Sequence, residues 1–167
     1  LGNRFRIIWS GAEYRGRGRD VLWNGKAVFK GAKINRMEKI NAWNHERLLE
    51  VQGDDTIAFE AITTGNFGGF DVWLENWEGV SLDLVTSQGT LNVLLSEVGL
   101  EDTAVACGGL EKQLKVFRLP DENSAKELRA SLEVPLHANG DNPLWVCVTT
   151  EDGFQAWSSP IYAFNKA

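Results

Sequence analysis

Three arginines at alternate positions, Arg15, Arg17 and Arg19 in "YRGRGRD", form the densest cationic motif of the 167-residue chain. On an extended strand they project from one face about 7 Å apart, and Gly16 and Gly18 leave the other face bare for a ring or a second backbone. Guanidinium forks match phosphate oxygens bidentately, and they match carboxylates of a neighbouring strand or an adjoining domain equally well. The balance of 17 basic against 23 acidic residues, a net charge of −6, favours the carboxylates. No lysines extend the cluster into the basic stripe that a nucleic acid requires, and the whole-molecule field repels DNA and anionic membranes. The three arginines are therefore read as interface contacts first and as anion contacts second.

Seven tryptophans are many for this length. In "DVWLENWEG", Trp73 falls on the polar face of a strand and Trp77 lies near a turn, so both are candidates for stacking on a sugar ring. The opposing reading is that large rings fill the core or bury against a sister domain. Trp9, Trp23 and Trp145 sit in apolar strands and are expected in the core.

Other chemistry is poorly supported. His45 and His137 are the only histidines, and no HxH or HExxH spacing brings two imidazoles onto one metal. Asp54-Asp55 and the run 139–142, "NGDN", offer oxygens but lack a calcium-loop pattern and read as turns. "GNFGG" lacks the lysine and the strand-then-helix setting of a phosphate loop. Cys107 and Cys147 lie in apolar stretches without CxxC spacing and are expected to be buried free thiols rather than a disulfide. No catalytic residue, metal ligand or cofactor site is expected.

The elements that must position these residues are strands. Alternation marks "RFRIIW", "TIAFEAITTG", "TLNVLLSEVGL" with its short turn and "EKQLKVFRLP", the last ending at Pro120, while "KINRMEKINAW" either continues the sheet or forms a helical turn on Ile34, Met37 and Ile40. Asn24-Gly25 reads as a two-residue hairpin turn. "GFDVWLENWEGVSLDLVT" reads as two strands that pair around Glu78-Gly79. Leu128, Ala130, Leu132 and Val134 mark another strand, and "PLWVCVTT", "EDG" and "FQAWSSPIYAF" mark a closing hairpin. About ten short strands without useful helices predict one antiparallel β-sandwich over residues 1–167, Ig-like or jelly-roll in order. No apolar run approaches the roughly 20 residues that span a bilayer. The abrupt entry at "LGNRFRIIW" reads as the C-terminal piece of a longer protein, whose compartment this stretch does not identify.

Several short motifs in order carry a resemblance. Gly16-Arg17-Gly18-Arg19, Trp23-Asn24-Gly25, Thr63-Thr64-Gly65-Asn66, Gly108-Gly109, Arg118-Leu119-Pro120 and the closing "EDGFQAWSSPIY" resemble the C-terminal β-domain of a large uncharacterised bacterial family. The likeness spans about Arg6 to Tyr162. That family carries a predicted PHP-like, metal-dependent hydrolase domain upstream, so the resemblance implies that the metal ligands lie there and that no position here matches them. The implied role is a non-catalytic accessory domain partnered with that upstream catalytic domain. The alternative is a carbohydrate-binding module with a glycan ligand.

Overall fold

Period-two alternation becomes strands over most of the segments that carry it. The computed structural model describes residues 1–41, 47–101, 103–122, 127–138, 140–149 and 155–164. It divides into two compact units, Leu1–Asn123 and Ser124–Ala167.

The first unit holds ten strands: β1 Arg4–Ala12, β2 Val21–Lys30, β3 Ile34–Ile40, β4 Leu49–Gln52, β5 Thr56–Thr63, β6 Phe67–Leu74, β7 Ser81–Thr86, β8 Thr90–Leu94, β9 Thr103–Gly108 and β10 Leu110–Leu119. They form two five-stranded sheets, ordered β3-β6-β1-β10-β9 and β4-β5-β2-β7-β8, with every pairing antiparallel. The expected all-β sandwich of about ten strands is thus what the structure contains.

Its core follows from the alternation. Phe5, Ile7 and Trp9 of β1, Phe70, Val72 and Leu74 of β6, and Ile57, Phe59 and Ala61 of β5 all point between the sheets and are buried. Trp9 of the first sheet stacks on Phe59 of the second, with centroids 4.3 Å apart and planes 3° from parallel. Such a contact holds the layers in register and adds to the area both rings bury.

Trp23, also fully buried, brings a polar N–H into the interior. Its Nε1 donates to Thr63 Oγ1 at 2.8 Å, and that hydroxyl donates to the Gly11 carbonyl at 2.7 Å. Thr63→Val keeps the shape but leaves the buried Trp23 donor without its partner, and the Gly11 carbonyl keeps only the bond from the Gly65 N–H at 3.1 Å. The expected loss is about 1–3 kcal/mol, measured as a shift in the urea midpoint against the parent chain.

Three expectations are corrected. Asn24-Gly25 is not a turn: both residues lie inside β2, the middle strand of its sheet, with Asn24 opposite Glu60 and Gly25 opposite Phe59 and Thr86. The glycine is needed for close approach, since a Cβ there would meet the Val85 carbonyl oxygen at 2.5 Å and the Phe59 ring at 2.8 Å. Next, β6 and β7 do not pair around Gly79, because they belong to different sheets and the turn at Trp77 to Val80 carries the chain across the sandwich. Alternation is the same for a strand that pairs with its predecessor and for one that crosses to the other layer.

The third correction concerns 128–134, which form no strand among the described residues. Leu128 and Leu132 are 90% and 83% exposed rather than inward-facing. The second unit instead consists of two short ladders, β11 Asn142–Leu144 with β14 Ile161–Ala163, and β12 Cys147–Thr149 with β13 Gln155–Trp157. They make the expected closing hairpin; its turn, Glu151-Asp152-Gly153, lies outside the described residues. Between the ladders Ser158 bridges the strands: its N–H donates to the Val146 carbonyl at 2.9 Å, and its Oγ accepts from the Val146 N–H at 3.0 Å.

Candidate functional site

The densest charged cluster is on the outer face of the first sheet, and the sequence reading did not single it out. Register places Arg6 opposite Asp71 and Arg4 opposite Trp73. Asp71, 1% exposed, accepts from Arg6 Nε at 2.6 Å and from Arg6 Nη2 at 2.7 Å, and Arg4 Nη2 also reaches it. Arg4 and Arg6 are each 6% exposed. One carboxylate therefore sits between two buried guanidiniums, an arrangement in which each charge is tolerated only because the others are present.

Trp73 belongs to the same patch. Arg4 from one neighbouring strand and Arg36 from the other lie over its ring, 4.8 and 4.3 Å from the centroid, and its Nε1 donates to the Asp121 carbonyl at 2.9 Å. Arg36 is in turn paired with Glu38. Trp77 is partly buried against the core, with the Arg118 guanidinium 3.9 Å above its ring. Both candidate sugar-stacking rings thus carry cations on their π-faces, an interaction that holds them as parts of the sheet. The structure does not bring them together into one platform.

Arg15, Arg17 and Arg19 do not form a strand ladder. Residues 13–20 are a loop between β1 and β2, with Gly16 and Gly18 at φ of +108° and +71°, a region open to glycine and strained for other residues. The three side chains are exposed and form no ion pair with any described residue. No neighbouring strand among the described residues therefore supplies them with a carboxylate, and pairing with an adjoining domain stays an expectation.

Trp9 and Trp23 are in the core as expected, but Trp145 is 54% exposed. It belongs to the most apolar surface of the second unit. Trp157 (67%), Tyr162 (53%), Phe164 (64%), Ile161 (60%), Val146 (56%) and Val148 (52%) are also exposed there. Pairing places Trp157 beside Cys147 and Tyr162 beside Pro143. Residues 142–149 and 155–164 contain no charged side chain. Among the described residues of this unit only Asn142 is buried; its amide ties the hairpin together, accepting from the His137 N–H at 2.7 Å and donating to the Ala163 carbonyl at 3.3 Å.

The other chemical candidates stay apart. Among the described residues no three His, Cys, Asp or Glu side chains lie close enough to share a metal ion, and no helix is long and apolar enough to cross a membrane. His45 and Asn139 lie outside the described residues. Asp54 approaches Lys33 at 3.9 Å, while Asp55 accepts from the Thr56 hydroxyl at 2.8 Å. Both cysteines are free, but neither is fully buried as expected: Cys107 is half-buried and Cys147 is exposed. Burial holds the Cys107 thiol above its ordinary range, outweighing a hydrogen bond from Leu114 and the nearby Lys112 charge, so it is a poor nucleophile. The outer face of the second sheet is hollowed into an open groove of about 620 Å³. Val28, Ala58 and Val85 line it together with Lys26, Glu60 and Asp83.

No family model matches the chain, and neither a curated protein nor a solved structure matches it.

Proposed function

We propose that the chain is a non-catalytic accessory β-sandwich domain of a predicted metal-dependent hydrolase, and that its closing hairpin packs against the catalytic part of the same polypeptide. The observation that supports this reading is the pair of uncharged stretches 142–149 and 155–164 of the hairpin, which expose Trp145, Trp157, Tyr162 and Phe164 while burying almost nothing of their own. A segment of roughly 40 residues cannot close a core alone. Exposed apolar patches of this kind mark surfaces that meet another protein layer. Four aromatic side chains of about 150–250 Å² each, about half exposed, with the adjoining Ile161, Val146 and Val148, approach the ~800 Å² that one partner contributes to a stable interface. The hydrolase assignment itself rests on the family resemblance.

Limited proteolysis tests the docking. In the isolated chain, cleavage is expected first within 124–167; in a longer polypeptide that includes the upstream domain, the same bonds become resistant. Equal cleavage of both would refute it.

The carbohydrate-binding alternative is carried by the same exposed rings, Trp145 and Trp157, rather than by the arginine-covered Trp73 and Trp77. It predicts that oligosaccharides saturably quench tryptophan emission of the isolated chain, a response that domain docking does not produce.

A further inference from the structure

The arginine loop is unused by the reading above and points to a ligand of its own. Its ends are clamped: the Glu13 N–H donates to the Arg19 carbonyl at 3.1 Å, and the Glu13 carboxylate takes Lys112 Nζ at 2.5 Å. With Glu13 paired to Lys112, the loop 13–20 carries three positive charges against one remaining negative charge, Asp20. The charges are held near one another by a short loop, at a Coulombic cost that a multivalent anion would remove.

Beside the loop lies an open depression of about 310 Å³, lined by Tyr14, Arg15, Arg19, Thr64, Gly65 and Glu111 among others. Two residues that carry hydroxyls and two that carry guanidiniums therefore line one open hollow. Glu111 sits where β1 and β10 lose register, with φ of +54°. This is a left-handed conformation that costs a non-glycine residue about 1–3 kcal/mol and recurs at ligand sites. Its carboxylate is the one opposing charge in the lining, and it pairs with none of the three arginines.

We propose that this depression binds a phosphoryl or sulfuryl group carrying two negative charges. Arg15 and Arg19 supply bidentate hydrogen bonds, the Thr64 and Tyr14 hydroxyls add neutral donors, and Arg17 adds to the field from the loop. The hollow suits a compact oxyanion, and the chain's net charge of −6 makes the attraction local, so a polynucleotide is not the ligand. The assignment is independent of the accessory role.

Isothermal titration of the chain with pyrophosphate, inorganic phosphate and sulfate at low ionic strength is the test. Saturable one-to-one binding is expected, strongest for pyrophosphate. R15A/R19A should weaken it by about tenfold or more for each lost charge-assisted contact, and R15K/R19K, which keeps charge but loses the fork, should fall between. E111Q, which removes the opposing charge, should tighten binding a fewfold. Inorganic phosphate gains its second charge close to neutral pH, so its affinity should rise as pH increases through neutrality, while sulfate affinity stays flat and so separates the two ligand types. The exposed arginines form no ion pair with a described residue, so these variants should melt with the parent, which distinguishes lost binding from lost folding. Absence of saturable heat with all three anions, or binding unchanged in R15A/R19A, would overturn the proposal.

Discussion

Replacing Asp71 with asparagine is expected to cost about 3–5 kcal/mol, the largest loss from any single side chain in the sandwich. The carboxylate is 1% exposed and joins Arg4 and Arg6, each 6% exposed. Asparagine preserves shape and some hydrogen bonding but removes the carboxylate charge that the two buried cations share. A typical domain is stable by about 5–15 kcal/mol, so the variant sits near the edge of folding. Guanidinium denaturation should show a lower midpoint with an unchanged slope. A triple variant, Arg4→Met, Arg6→Met and Asp71→Leu, should recover much of the loss, because an apolar replacement of the whole cluster leaves no charge stranded. A loss below about 1 kcal/mol for Asp71→Asn would mean that the cluster behaves as a surface ion pair.

The second large effect belongs to the closing hairpin. In a longer polypeptide that carries the upstream domain, Trp145→Ser with Trp157→Ser should weaken docking by at least about 2 kcal/mol, roughly thirtyfold. Aromatic anchors dominate the interfaces they enter. In the isolated chain the same pair of substitutions should change stability by less than about 0.5 kcal/mol, because both rings are already exposed. The contrast is the informative quantity: loss only in the longer polypeptide marks an interface, whereas equal loss in both marks packing within this chain. Proteolytic resistance of 124–167 and the unfolding midpoint supply the two readouts.

The alternation of small segments was enough to read the sandwich. "RFRIIW" and "TIAFEAIT" place Phe5, Ile7, Ile57 and Phe59 inside because side chains on a strand change face at every residue, whatever strand lies beside them. Partner choice is not encoded that way, which is why β6 and β7 look like a hairpin in sequence and yet occupy different sheets. Asn24-Gly25 shows the same limit: the dipeptide suits a tight turn, but tertiary packing uses the missing Cβ of Gly25 to admit Phe59 and the Val85 backbone.

The charged sites were less legible. Asp71 alternates with Phe70 and Val72 and so looks like a solvent-facing residue; that it is buried depends on Arg4 and Arg6 arriving from β1, 65 or more residues away in sequence. One signal was present, since Arg4 and Arg6 share a face with Phe5 and Ile7 on the other, but alternation gives no reason to expect burial on both faces of β1. The spacing of Arg15, Arg17 and Arg19 suggested a strand, whereas the glycines between them adopt positive φ and make a loop. Trp145 sits in an apolar run of the kind that enters cores, but it falls between β11 and β12 of a short hairpin with exposed residues on its strands, which has no core to enter.

Hydrogen exchange at the amides of 142–149 and 155–164, compared between the isolated chain and a polypeptide that includes the upstream domain, tests the accessory role most directly. Docking predicts rapid exchange in the first and strong protection in the second, with the β1, β2 and β5 amides protected alike in both. Equal exchange of the hairpin in the two proteins would contradict it.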